Sequence, residues 1–439
     1  MNATSSLRRF LWPRTLAGKA GVIVLYFLVV LGVAYLTADY FTSKRLKEAM
    51  KLSEAFGLSH DLDVLLGPSV ASINNAATPM NEAGILANRF YIEARQKHKL
   101  AVTADVLDHA DLLAEYEKLL KDPVYNGLLE EADRREAYRT TDLFKRPMVT
   151  ANGSNVFQHR RSVARAEHEL VKYLLRAGRS EEAALRVLRL FRTTRKWEDK
   201  EPFLVAGLMN LAVRGVAFEG LNAILRNGKS LSPALHAEID EELGRQEQIK
   251  RVIPWLIQTG AVLGCDFYEQ GPWTRIPFGD LFAKEGQMTT LQFAHRLQLT
   301  ADKPYLEVWN EIQSLTSEVK EARGTPLGTI IYFGAEGLLA SEPMSRRAFE
   351  RTVARVRCLR VLNALASRGD FDANISSLGI PKESLVDPFN GKPLRIKKTP
   401  NGPIIYSVGD DLTDNDGNVN YPGQADVGTA PIPSKSESQ

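Results

Sequence analysis

The chain has 439 residues, 44% of them hydrophobic and 25% charged, values that give ample material for one large or two moderate cores and exclude global disorder. Its net charge of +3 is smaller than the contribution of Arg8, Arg9, Arg14 and Lys19, which precede residue 20 with no acid among them. The remainder is near neutral, so the basic domain surface expected of a nucleic-acid binder is missing, and no nucleic-acid partner is expected.

Residues 1–19 form a basic flank. From Ala20 to Ala38 the chain reads AGVIVLYFLVVLGVAYLTA, without a charge. At ~1.5 Å per residue this run spans about 28 Å, close to the hydrocarbon thickness of a bilayer. Trp12 before it, and Tyr35 and Tyr40 near its end, suit the two interfaces. Residues 20–41 are therefore read as a transmembrane anchor. The competing reading is a cleaved signal peptide, because Gly32-Val33-Ala34 offers small residues, but the apolar run continues past them. Lysines and arginines are balanced across the helix, with Lys44, Arg45, Lys47 and Lys51 following it. The short acid-free flank then favours a cytoplasmic N-terminus with the large domain outside.

Residues 42–345 read as a helical domain. Thr42 to Leu58 continues as an amphipathic helix, and Leu112, Leu113, Tyr116, Leu119 and Leu120 form a stripe ended by Asp122-Pro123. The clearest unit is a helical hairpin. Ala166, Leu170, Leu174 and Ala177 make its first face, Gly178 sits at the helix C′ position, and Leu185, Leu188 and Leu190 follow Ser180 on the second. Phe203 to Leu225 has only Arg214 and Glu219 as interior charges, which predicts a central helix, and Ser232-Pro233 opens another. Residues 265–345 are divided by Gly271-Pro272, Pro277, Gly286, Pro304, Pro326 and Pro343, which predicts short pieces around one helix from Pro304 to Ala322.

Residues 346–425 change character. A helix over Ser345 to Ala366 precedes Leu394, Ile396, a Pro400-Asn401-Gly402 turn, then Ile404, Tyr406 and Val408, the signature of a β-hairpin. Residues 426–439, ending TAPIPSKSESQ, read as a disordered tail. The fold class is thus mainly α, with an N-terminal transmembrane helix, a helical-hairpin domain and a small C-terminal β module.

Several short stretches approach motifs that carry chemistry. His168-Glu169 begins like a zinc-protease signature, but Lys172 stands where the second histidine must be. Gly228-Lys229-Ser230 ends like a phosphate-binding loop, yet Ala223 occupies its first glycine position. Ser317-Glu318-Val319-Lys320 matches a serine–lysine tetrapeptide without its companion motifs. Trp255, Trp273 and Trp309, with Phe267 and Tyr268, offer either an aromatic groove or core packing. Cys265 and Cys358 form either one bridge in an oxidising compartment or two buried thiols. Asp410, Asp411, Asp414 and Asp416 supply hard oxygens of the kind calcium takes, in a loop that is not an EF-hand.

Two stretches carry a resemblance. Ser162–Leu225, with Asn74-Asn75-Ala76-Ala77 upstream, resembles a family of uncharacterised bacterial envelope proteins with an N-terminal anchor and a helical domain. Asp387-Pro388-Phe389-Asn390-Gly391-Lys392-Pro393-Leu394, followed by Ile405-Tyr406-Ser407-Val408-Gly409-Asp410, is similar to the C-terminal end of the major pseudopilin of type II secretion. That likeness implies a small sheet closed by a calcium loop, with Asp410, Asp411, Asp414 and Asp416 at comparable positions. Several hundred residues separate this segment from the anchor, so the likeness implies a structural cap and not a pilus subunit. Together the resemblances imply a single-pass protein of the bacterial inner membrane with its domain in the periplasm. The expected function is non-enzymatic, a protein-interaction or structural module with an unknown protein partner. The alternatives are an anchored hydrolase whose site is dispersed in sequence, and a secretion-system accessory.

Overall fold

The computed structural model describes residues 16–55, 65, 67–99, 109–140, 153–198, 204–227, 231–419, 426–429 and 431. The basic flank at Arg8, Arg9 and Arg14, the Gly228-Lys229-Ser230 stop and the tail beyond residue 431 lie outside them. The protein is mainly helical, with an N-terminal apolar helix and a three-stranded antiparallel sheet near the C-terminus.

The first helix, α1 (Leu16–Ala55), takes in both the apolar run and the amphipathic segment without a break. Next come α2 (Ala77–Lys97), α3 (Ala110–Lys121) and α4 (Pro123–Arg134). They are followed by α5 (Gly153–Arg176), α6 (Ser180–Glu198), α7 (Leu204–Arg226) and α8 (Pro233–Gln246). The second half contains α9 (Ile253–Gln270), α10 (Gly279–Gln298), α11 (Tyr305–Ala322), α12 (Pro326–Ile331) and α13 (Phe333–Arg368). Strands β1 (Arg395–Lys397), β2 (Ile404–Ser407) and β3 (Val427–Thr429) complete the chain.

These elements form two compact units. The larger comprises Asp61–Gly260, Leu297–Ser314 and Leu339–Gln439. Here α2, α4, α5, α6 and α7 pack pairwise around Leu170, Leu174, Val187, Leu188, Phe191 and Leu221. Gly178 adopts φ +76° and closes the α5–α6 turn, with the Arg179 amide donating to the Leu174 carbonyl at 2.8 Å, as a C′ glycine does. Leu188 and Leu190 are buried as expected, but Leu185 is 50% exposed, while Phe191 is buried. Gly84 is required where α2 meets α5, since a Cβ there would lie 2.4 Å from the His159 carbonyl oxygen. Helix α7 is long and apolar enough to cross a membrane, yet it is the central core helix, with Arg214 wholly buried and bonded to Gln246 at 2.5 Å.

The sheet has the order β1-β2-β3, with Ile396 opposite Ile405 and Tyr406 opposite Gly428. Its third strand falls in residues expected to be disordered tail. The short apolar Val427 completes a cluster with Tyr305, Ala354 and Phe389, and this burial orders a segment whose composition alone predicts disorder.

The smaller unit comprises Met1–His60, Ala261–Arg296 and Leu315–Leu338. Its core joins Leu46 of α1 to Cys265, Met288 and Leu291. The expectation of short pieces here is corrected by α10, which runs unbroken through Gly286. That glycine lets Tyr268 press against the helix, because a Cβ would lie 2.3 Å from the ring. Tyr268 in turn bonds the Ile330 and Ile331 carbonyls, each at 2.8 Å, and receives the Gly334 amide at 3.1 Å. Helix α13 likewise begins earlier than predicted and continues through Pro343. Its residues from Leu339 on belong to the larger unit, where burial of Leu339, Phe349, Val353, Leu359 and Leu362 outweighs the ~3 kcal/mol that an interior proline costs.

Candidate functional site

Two places concentrate chemistry-bearing side chains. The first is the base of the apolar helix. From Ile23 to Val30 every α1 side chain is more than half exposed, so this half of the helix projects free of the smaller unit. Beyond it the helix becomes two-faced. Thr42, Leu46 and Ser53 are buried on one side, while Tyr40, Lys44, Lys47 and Lys51 are exposed on the opposite one. Three polar contacts fix the helix to α10. The Tyr35 hydroxyl donates to Asp280 at 2.6 Å, Lys284 pairs with Asp39, and Arg45 pairs with Glu285 at 3.0 Å.

Beside the two-faced part of α1 lies a cleft of 480 Å³. Its walls are apolar, from Ala49, Leu52, Met288, Leu291 and Phe293, and its rim carries Arg45, Glu48, His295, Arg296 and Glu318. Arg296 and Glu318 pair across the rim at 2.6 Å. Leu52 is 52% exposed although it lines an apolar wall, which leaves a hydrophobic anchor point open. Cys265, in the core below, is a buried free thiol whose pKa burial pushes up to about 12, so it stays a neutral packing group. Cys358 is also a buried free thiol, and burial raises it too.

The second place is the acidic C-terminal loop. The sequence brings four carboxylates together, but the fold turns them to separate partners. Asp410 pairs with Arg351 at 2.7 Å and Arg347 at 3.5 Å. Asp414 pairs with Arg395 at 2.9 Å and accepts the Tyr406 hydroxyl at 3.1 Å. Asp416 pairs with Lys397 at 2.6 Å. Asp411 caps its own turn, accepting from the Thr413 amide and the Asn415 side chain, each at 3.0 Å. Among the described residues no three His, Cys, Asp or Glu side chains converge on a point that could hold a metal. This donor arrangement does not fit the six to eight converging oxygens of a calcium site. Lysine and arginine side chains relieve the repulsion that a shared cation was expected to relieve.

The loop is organised by an aspartate that sequence reasoning missed. Asp426 is fully buried and accepts the amides of Gly417 at 2.8 Å, Asn418 at 3.1 Å and Asn415 at 3.3 Å. Burial raises its pKa against the lowering effect of these amides. Nothing around Asp426 in the sequence marks it, because its donors come from the preceding loop. Asp387, first residue of the pseudopilin-like stretch, acts similarly on the other side of β2. It accepts the Ser407 hydroxyl at 2.8 Å and the amides of Val408 and Phe389 at 2.9 Å.

The remaining candidates have ordinary places. Asn75 is buried and clasps the Arg139 backbone at 2.8 and 3.0 Å. Lys172 pairs with Glu169 on α5 at 3.5 Å. Trp309 stacks on Tyr305 in the larger unit, and Trp273 contacts Phe267 in the smaller.

No protein-family model, curated protein or solved structure matches the chain.

Proposed function

We propose that the protein is a membrane-anchored, non-enzymatic envelope protein that presents its helical domain to a protein partner. The observation that carries this reading is the cleft along α1, an apolar trough with the half-exposed Leu52 in its wall and charges of both signs at its rim. Such a surface suits an amphipathic peptide segment better than a small substrate, which needs a few convergent polar groups inside an enclosed pocket. The continuity of α1 supports it as well. Rigid connection of the apolar run to the cleft wall holds the cleft at a fixed distance from the bilayer.

On this reading α1 spans the inner membrane of a bacterium, with the basic flank in the cytoplasm and the domain in the periplasm. The C-terminal sheet is a structural cap, in keeping with its likeness to the pseudopilin end. The test is site-specific photo-crosslinking in intact membranes. A photoreactive residue at Leu52 should give one discrete adduct, and one at the exposed Ile73 should not. Identical patterns from both positions would remove the cleft reading. Alkaline carbonate washing should leave the protein in the membrane pellet, and external protease should reach the domain only after the outer membrane is opened.

A further inference from the structure

We propose that the turn from Trp273 to Phe278, with Phe267 and Phe333 beside it, is a shelf that inserts into the headgroup–acyl boundary of the bilayer around the exit of α1. The inference rests on the reading of α1 as a membrane anchor. Its first support is position. Tyr35 lies near the end of the apolar run, and the Phe278 ring packs edge-on against it at 5.3 Å. The Tyr35–Asp280 bond ties the start of α10 to the same level. A bilayer that covers Val33 and Tyr35 therefore reaches Phe278.

Exposure is the second support. Ile276 is 48%, Phe278 40% and Phe333 46% exposed, and Phe333 continues the patch by stacking on Phe267 at 4.3 Å. Trp273 is half-buried and 5.9 Å from the same Phe267 ring. Aromatic rings of this kind favour the depth where one edge is apolar and the other wet.

Backbone strain is the third. Phe278 is held at φ +62°, a conformation that a bulky L-residue rarely adopts. The bonds from the Ile276 amide to the Trp273 carbonyl at 3.2 Å and from the Gly279 amide to the Ile276 carbonyl at 3.0 Å hold the turn closed. The turn so held keeps the Phe278 ring against Tyr35 with the residue still 40% exposed, where lipid can meet it. Lipid is the occupant the charges favour. Arg275 is exposed within the turn and Lys44 lies about 14 Å further along α1 than Tyr35, near enough for their long side chains to reach anionic headgroups.

The experiment uses the full chain in vesicles of phosphatidylcholine and phosphatidylglycerol, with Ile276→Cys or Phe278→Cys labelled by a polarity-sensitive fluorophore. Cys265 and Cys358 are buried, so the label goes to the introduced thiol. Both labels should emit to the blue of a label at Ile73→Cys and be quenched by lipids carrying a nitroxide high on the acyl chain. Water-like emission from both positions, in protein that survives carbonate washing, would overturn the shelf while leaving the anchor. Shielding in native membranes that disappears in pure lipid would assign the patch to a protein and overturn it also. Extraction by carbonate would remove the anchor reading, and the shelf with it.

Discussion

The Asp426 carboxylate accepts the Gly417 amide at 2.8 Å, from a side chain with no solvent exposure. This contact joins the start of β3 to the acidic loop. Asp426→Ala strips three loop amides of their acceptor and should cost about 1–3 kcal/mol. Chemical denaturation of the detergent-solubilised chain is the measurement. A loss under half a kcal/mol would mean that the loop is held by its other bonds.

Calcium should not stabilise the chain, because the cation would have to displace Arg395 from Asp414 and Lys397 from Asp416. The unfolding midpoints in millimolar calcium and in excess chelator should coincide. A bound ion at a hundredfold excess over its Kd would add about 2.7 kcal/mol, an increment readily seen. A calcium-dependent rise that Asp414→Ala abolishes would restore the metal site.

The α5–α6 hairpin offers an internal control. Leu174 and Leu188 are buried, so either residue changed to alanine should cost roughly 2–5 kcal/mol. Leu185, three residues earlier on α6 than Leu188 but half exposed, should tolerate alanine within about 0.5 kcal/mol. Equal losses at Leu185 and Leu188 would show that the helix is rotated from the orientation described.

Glu342 gives a dependence on pH. Burial raises its pKa from 4.5 to about 7, with Arg346 opposing the rise. Since the folded value lies above the unfolded one, the native state keeps this proton longer. The stability associated with that proton is full below pH 4.5 and is lost as pH climbs through 7. Glu342→Gln should therefore match the parent near pH 4 and exceed it by about 1–3 kcal/mol near pH 8. Parallel stability curves for the two proteins would place the carboxyl in solvent.

Much of this architecture can be read from local pattern. The uncharged run from Ala20 to Ala38, the C′ glycine at Gly178, the stripe at Leu112, Tyr116, Leu119 and Leu120, and the Ile396–Ile405 hairpin depend on neighbours in the chain. Their signals are periodicity and turn chemistry, which act within a few residues. What only the tertiary structure decided depends on groups far apart in sequence. Helix α10 passes through Gly286 because Tyr268 packs there, and Val427 becomes a strand because Phe389 and Tyr305 bury it. The four clustered aspartates look alike in sequence, yet Arg351, Arg395 and Lys397 draw three of them apart. Charge partners and close backbone approach are set by the path of the whole chain, so no local window contains them.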